Sequence, residues 1–139
     1  MYFGIDPGRN TGLALWRDGE FAVIETDTIV QAMGRILAAF NQVQEGITIV
    51  FEDARQRKWL PRESSESEYR GKLMGAGSVK RDCEIWEEFC KQYGLRYEAV
   101  PPRPRLTKWN AEAFARVTGW KGRTSEHARD AALLVFGRK

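Results

Sequence analysis

Histidine is nearly absent from this chain: among 139 residues there is one, His127, and there are two cysteines, Cys83 and Cys90. A structural zinc site takes four Cys or His ligands at short paired spacings, so a single imidazole and no Cys-x-x-Cys pair argue against that class. The cysteines stand seven apart in a helical pattern, on one side of the helix but about 10 Å apart along its axis, too far for an unstrained bridge. No apolar run approaches the roughly 20 residues that cross a bilayer. The first residues enter a strand-like segment with neither a basic leader nor a small-residue cleavage site, so the expectation is a soluble, cytoplasmic protein with no membrane partner.

Lysine is also missing from the first 53 residues, where three Arg face eight acids for a net charge of −5. Residues 54–139 carry nineteen bases against eleven acids, a net of +8 hidden inside a total of +3. A basic half of this kind suits a polyanion, nucleic acid first, and the alternative is an ordinary solvated surface. At 139 residues and 42% hydrophobic, the chain fits one domain with a core of its own, residues 1–139.

What is present falls into a legible order. Tyr2 to Ile5 and Thr11 to Trp16 are apolar runs on either side of the turn formers Asp6 to Asn10. Asp18-Gly19 then predicts a hairpin turn into a third strand from Phe21 to about Thr26, because both central positions of a type I′ turn need positive φ. Ile29, Met33, Ile36, Leu37, Phe40 and Val43 recur at three and four, the spacing of an amphipathic helix that ends near Gly46. Ile47 to Phe51 is a β-branched run consistent with a buried strand that delivers Glu52 and Asp53 at its end.

Residues 54–77 lose the pattern and are expected to form a basic flexible loop. From Val79 a second helix shows apolar positions at Cys83, Trp86, Cys90 and Tyr93, stopped by Gly94. Tyr97 to Val100 is a short strand, and 101–105 is an extended basic connector. Thr107 is a candidate cap for a helix using Trp109, Ala113, Phe114 and Val117. A last helix starts near Thr124 or Ser125. The order βββ-α-β-α-β-α-α is that of an α/β protein.

Three places put acids where chemistry can use them. Asp6 follows the first strand, Glu52 and Asp53 end the fourth, and Asp130 lies on the last helix three residues after His127, on the same helix face. If strands one and four are neighbours, Asp6 and Glu52 come together and the last helix brings His127 and Asp130 to them. Clustered carboxylates repel unless a cation is bound, and hard oxygen donors with one imidazole suit Mg²⁺ or Mn²⁺. Each residue has an ordinary alternative: Asp6 as a turn former, Glu52 or Asp53 as a strand-end charge, Asp130 and Glu126 as complements to a helix N-terminus, His127 as a half-buried imidazole.

At these residues the sequence resembles the RuvC-type Holliday junction resolvases of the RNase H-like nuclease superfamily. Gly4-Ile5-Asp6-Pro7-Gly8 with Thr11-Gly12 is similar to the family's first catalytic strand, Ile49-Val50-Phe51-Glu52 to its second acidic segment, and His127-Ala128-Arg129-Asp130-Ala131-Ala132 to its C-terminal helix motif. The helix around Gly75 to Tyr93, Tyr97 to Pro102 and Lys108 resemble the intervening region, so the likeness runs through nearly the whole chain in order. It implies an RNase H-like fold: a mixed five-stranded sheet, three antiparallel strands then two parallel, flanked by helices. It also implies Asp6, Glu52, His127 and Asp130 as catalytic and metal-ligating residues around two Mg²⁺ or Mn²⁺ ions, with His127 standing where many members have Asp. Asp53 is kept as the alternative to Glu52, and Glu126 as a further ligand.

The implied reaction is paired hydrolysis of phosphodiesters in branched DNA by a homodimer, one ion activating water and the other stabilising the leaving 3′-oxygen. The short chain suits a phage-encoded member acting in the host cytoplasm. Arg55, Arg57, Lys58, Trp59, Arg62 and Tyr69 are expected to bind DNA, Trp59 by stacking on an unpaired base while the cations hold phosphates. Arg103, Arg105 and Lys108 resemble the family's basic residues near the scissile phosphate. The Val79, Cys83, Trp86, Cys90, Tyr93 stripe has the spacing of a helix–helix seam and is either core or the dimer contact, with Ile85 and Phe89 taking the core role in the second case. Other readings are an actin-like phosphotransferase, for which the chain is short and lacks a second glycine-rich loop, a non-catalytic binder of branched nucleic acid, and a nuclease preferring flaps or RNA.

Overall fold

The computed structural model of the chain describes residues 1–43, 46–57, 65–102 and 108–139. The expectations placed on Lys58, Trp59, Arg62, Arg103, Arg105 and Thr107 lie outside the described residues. Strands β1 (Tyr2–Asp6), β2 (Thr11–Arg17) and β3 (Glu20–Asp27) form an antiparallel meander. Its second turn has positive φ at Asp18 and Gly19, 55° and 86°, as that dipeptide predicts. Helix α1 (Ile29–Val43) opens with a capping box: Gln31 N donates to Thr28 Oγ1 at 3.2 Å, and Thr28 N donates to Gln31 Oε1 at 3.0 Å.

Strand β4 (Thr48–Glu52) pairs parallel to β1, a 3₁₀ turn (Ala54–Gln56) follows, and helix α2 (Glu66–Gln92) leads to β5 (Arg96–Val100), parallel to β4. Helices α3 (Ala111–Thr118) and α4 (Glu126–Val135) complete the chain. The result is an α/β protein with a five-stranded mixed sheet in the order β3-β2-β1-β4-β5, flanked by helices. Among the described residues no helix is long and apolar enough to cross a membrane.

Alternation along the strands divides the core into two layers. Phe3, Ile5, Leu13, Leu15, Ile49 and Phe51 face α1 and α2, packing with Ile36, Cys83, Trp86, Phe89 and Cys90. Ala14, Trp16, Ile24 and Val50 face the other way, against Phe114 and the Ala128, Ala131, Ala132, Leu134 and Val135 stripe of α4. A register shift between Leu15 and Trp16 sets Phe21 beside the Trp16 ring, with centroids 4.8 Å apart, and closes that layer at its edge.

The structure corrects the loop boundary. Residues 66–77 are not loop but the first half of α2, whose 27 residues span about 40 Å. Ser65 caps it, accepting from Glu68 N at 3.2 Å, and Glu66 pairs with Arg70 at 2.7 Å. The buried residues of α2 all lie between Cys83 and Cys90, so its first half runs over open surface, where Gly71, Gly75 and Gly77 meet nothing. Of the two readings of the helix stripe, the burial favours core. Cys83, Trp86 and Cys90 are fully buried against this chain's own sheet and Phe89 nearly so, while Tyr93 is half exposed, so the stripe is core. Burial raises the thiols of Cys83 and Cys90 to about 11 and about 12, which keeps both protonated at neutral pH.

Two glycines fix how closely α4 lies on the sheet. A Cβ on Gly4 would stand 2.1 Å from the Ala131 carbonyl oxygen, and one on Gly12 would stand 1.9 Å from the His127 carbonyl oxygen. Both obstacles are backbone and cannot swing aside. Gly12→Ala is expected to destabilise the protein by at least ~2 kcal/mol in urea denaturation, the scale of an overpacked core. Gly34→Ala, on an exposed face of α1 with open space around it, is expected to be neutral or stabilising by up to ~1 kcal/mol. Equal effects of the two substitutions would contradict the close seat of α4.

Candidate active site

The acids expected at strand ends stand at one edge of the sheet. β1 and β4 are neighbours and parallel, with Ile5 opposite Phe51, so Asp6 and Glu52 fall opposite each other one step further along. Strand alternation puts Asp6 with Gly4 and Glu52 with Val50, on the side covered by α4. The turn after β1 is closed by Thr11, fully buried, whose Oγ1 donates to the Gly8 carbonyl at 2.8 Å.

Helix α4 supplies the rest. Ser125 caps it, accepting from Ala128 N at 3.0 Å, and Ser125 Oγ lies 2.5 Å from Thr26 Oγ1 of β3, which ties the start of the helix to the sheet. His127 Nδ1 is 2.8 Å from Asp6 Oδ2. An ionised Asp6 can only accept, so the proton of that bond sits on Nδ1 and leaves Nε2 as the nitrogen turned away from Asp6. Asp130, one helical turn on, makes an ion pair with Lys108 Nζ at 3.0 Å, and the same ammonium pairs with Glu126.

The electrostatics follow from burial and from these contacts. Asp6 is raised above the ordinary aspartate range, first by burial and also by the Asp130 charge, against the lowering effect of His127 and Lys108. Glu126 is lowered by its hydrogen bond from Lys108. Lys108 is raised by hydrogen bonds to Glu126 and then Asp130, which outweigh its desolvation.

Asp53, the alternative to Glu52, is placed elsewhere. It caps the 3₁₀ turn, and its two carboxylate oxygens accept from Arg55 Nε at 2.8 Å and Nη2 at 3.0 Å. Burial pushes the Asp53 carboxyl up, but the Arg55 hydrogen bonds outweigh it and hold the group below its usual range. Arg55 Nη1 donates to Glu87 on α2 at 2.7 Å, so Arg55, expected among the DNA-binding residues, is engaged by two acids of this chain. Arg57 is exposed at the end of the 3₁₀ turn, and Tyr69 is exposed on the first half of α2.

Arg129, to which the sequence motif assigns no role of its own, has a positioning role. Its Nε donates to the Trp109 carbonyl at 3.0 Å and its Nη1 to the Thr124 carbonyl at 2.9 Å, binding the segment that carries Lys108 to the start of α4. Among the described residues no group of three or more His, Cys, Asp or Glu converges as a ready ligand set. The donor chemistry still fits a hard divalent cation: Asp6 and Asp130 are mostly buried carboxylates close enough for the Asp130 charge to raise Asp6, with the Lys108 ammonium as the cation that now faces them. No model of a known protein family matches the chain, and no curated protein sequence matches it.

The raised Asp6 gives a signed prediction for stability. A carboxyl whose folded pKa lies above its unfolded value of 3.8 contributes stability below that value and loses it as pH rises through the folded value. Asp6→Asn keeps an acceptor for His127 and removes the charge. In EDTA it is expected to be more stable than wild type at pH 7 by more than ~0.5 kcal/mol, the scatter of neutral substitutions. The gap should narrow toward pH 4 in urea midpoints, and a variant less stable than wild type at pH 7 would contradict the assignment.

Proposed function

We propose that the protein is a metal-dependent, structure-selective endodeoxyribonuclease of RNase H-like fold that resolves Holliday junctions or related branched DNA by paired phosphodiester hydrolysis. The observation that carries this reading is the contact of Asp6 with His127, with the Asp130 charge near enough to act on Asp6, at the strand ends where Glu52 closes the neighbouring parallel strand. The sheet order, with three antiparallel strands and two parallel ones beyond β1, is what the resemblance to RuvC-type resolvases implies and supports the same reading.

Asp6, Glu52 and Asp130 would hold the Mg²⁺ or Mn²⁺ ions, with His127 Nε2 as the nitrogen donor. Ions bound there supply Lewis acidity at the attacking water and the leaving 3′-oxygen. The chain's own part is positional. His127 fixes the rotation of the Asp6 carboxylate, Arg129 fixes the start of α4, and burial of Asp6 and Asp130 keeps bulk water from competing for their oxygens. The basic half of the sequence, with Arg57 and Lys108 among the described residues, provides phosphate contacts. Two symmetric incisions call for two sites, so a homodimer acting on branched DNA is part of the proposal. Its contact must use a surface other than the buried Cys83, Trp86 and Cys90 stripe.

One observation favours a second reading. The Lys108 ammonium already neutralises Asp130 and Glu126, as it would in a non-catalytic binder of branched nucleic acid. Cleavage of end-labelled four-way junction, duplex, single strand and flap in Mg²⁺, Mn²⁺ or EDTA separates the two. The nuclease reading predicts metal-dependent paired nicks near the crossover and at least ~100-fold loss of rate in Asp6→Asn. Tight junction binding with no cutting in either metal would establish the binder.

A further inference from the structure

Lys108 stands half exposed just before α3, and the backbone that follows it is held in place. The carbonyl of the next residue, Trp109, accepts from Arg129 Nε, and Asn110 beyond it caps α3 by accepting from Ala113 N at 2.8 Å. The anchor delivers the ammonium to Glu126 and to Asp130, 3.0 Å from the latter. Asp130 is one of the carboxylates nearest Asp6, and Lys108 itself lies close enough to act on Asp6. An ammonium and a divalent cation seek the same oxygens, and two cations on one carboxylate a few ångströms apart repel.

We propose that Lys108 is a tethered counter-ion that occupies Asp130 and Glu126 until a divalent ion displaces it, so that metal loading competes with this salt bridge. The inference rests on the reading of Asp6, Glu52 and Asp130 as a divalent-ion site. Displacement sets the ammonium free beside that site, where a phosphate of bound nucleic acid is its natural partner. Metal and polyanion then each strengthen the binding of the other, as linkage requires. Lys108 is in this account a gate on metal loading as well as a phosphate contact.

The test is titration of Mn²⁺ into the full chain without DNA, followed by calorimetry and by loss of the free Mn²⁺ paramagnetic resonance signal. Lys108→Met keeps the length of the side chain and removes its charge, and it is expected to bind Mn²⁺ about tenfold more tightly than wild type. Lys108→Arg, which keeps the charge, is expected to retain wild-type affinity. Lys108→Gln serves as a second neutral variant should the first fail to melt cooperatively, and the same gain is expected of it. Neutral variants that bind Mn²⁺ no more tightly than wild type would overturn the gate while leaving the metal site standing. Absence of Mn²⁺ binding in wild type and neutral variants alike, indistinguishable from Asp6→Asn, would overturn both the gate and the metal site.

Discussion

The approach of helix α4 to strands β1 and β2 is the constraint on which the site depends. Gly4 and Gly12 leave the two strands bare where the helix crosses them, and the helix backbone fills the space that side chains would take. Because the contact is backbone against backbone, it fixes the height and the rotation of α4 more tightly than side-chain packing does. His127 and Asp130 therefore reach the end of β1, and Asp6 is buried by the helix that supplies its partners. The far end of α4 is held as firmly: Trp16 Nε1 donates to the Arg138 carbonyl at 2.8 Å, and Arg138 pairs with Glu98 of β5 at 2.8 Å.

Around this seat the arginines act as internal ties. Arg129 joins the start of α4 to the segment before α3, and Arg55 joins the turn after β4 to α2. The second tie explains the division of labour between adjacent acids. Asp53, with its side chain 6% exposed, has both oxygens engaged by Arg55, and removing that partner would leave a buried charge at a cost of about 3–5 kcal/mol. Glu52, one residue earlier, points by strand alternation to the opposite side, toward α4. Parity along one strand thus separates an acid that holds the 3₁₀ turn from an acid on the side of the sheet that α4 covers.

Much of this was legible in the sequence. The turn at Asp18-Gly19, the periodicity of α1, the β-branched run of β4 and the start of α4 near Thr124 or Ser125 each state their structure locally, and the placing of the acids follows from the strand order. The first half of α2 was not legible, because Gly71, Gly75 and Gly77 depress helix propensity and no apolar period marks a face that packs on nothing. Its only signals were Ser65 with Glu68 and the Glu66–Arg70 spacing. The loop expected at 54–77 therefore shortens at its distal end. The engagement of Arg55 and the salt bridges of Lys108 were also out of reach, since a basic residue bound to distant acids looks in sequence like one offered to solvent. Gly4 and Gly12 were read as part of a motif, and their packing role appears only with the helix in place.

The proposed divalent-ion site of Asp6, Glu52 and Asp130, set by the seat of α4, is open to direct test by anomalous diffraction from crystals grown with Mn²⁺. A manganese peak is expected at the strand ends between Asp6 and Asp130, with Lys108 withdrawn from Asp130. Crystals with no manganese at those strand ends, and Lys108 still paired with Asp130 and Glu126 at saturating Mn²⁺, would contradict the proposal.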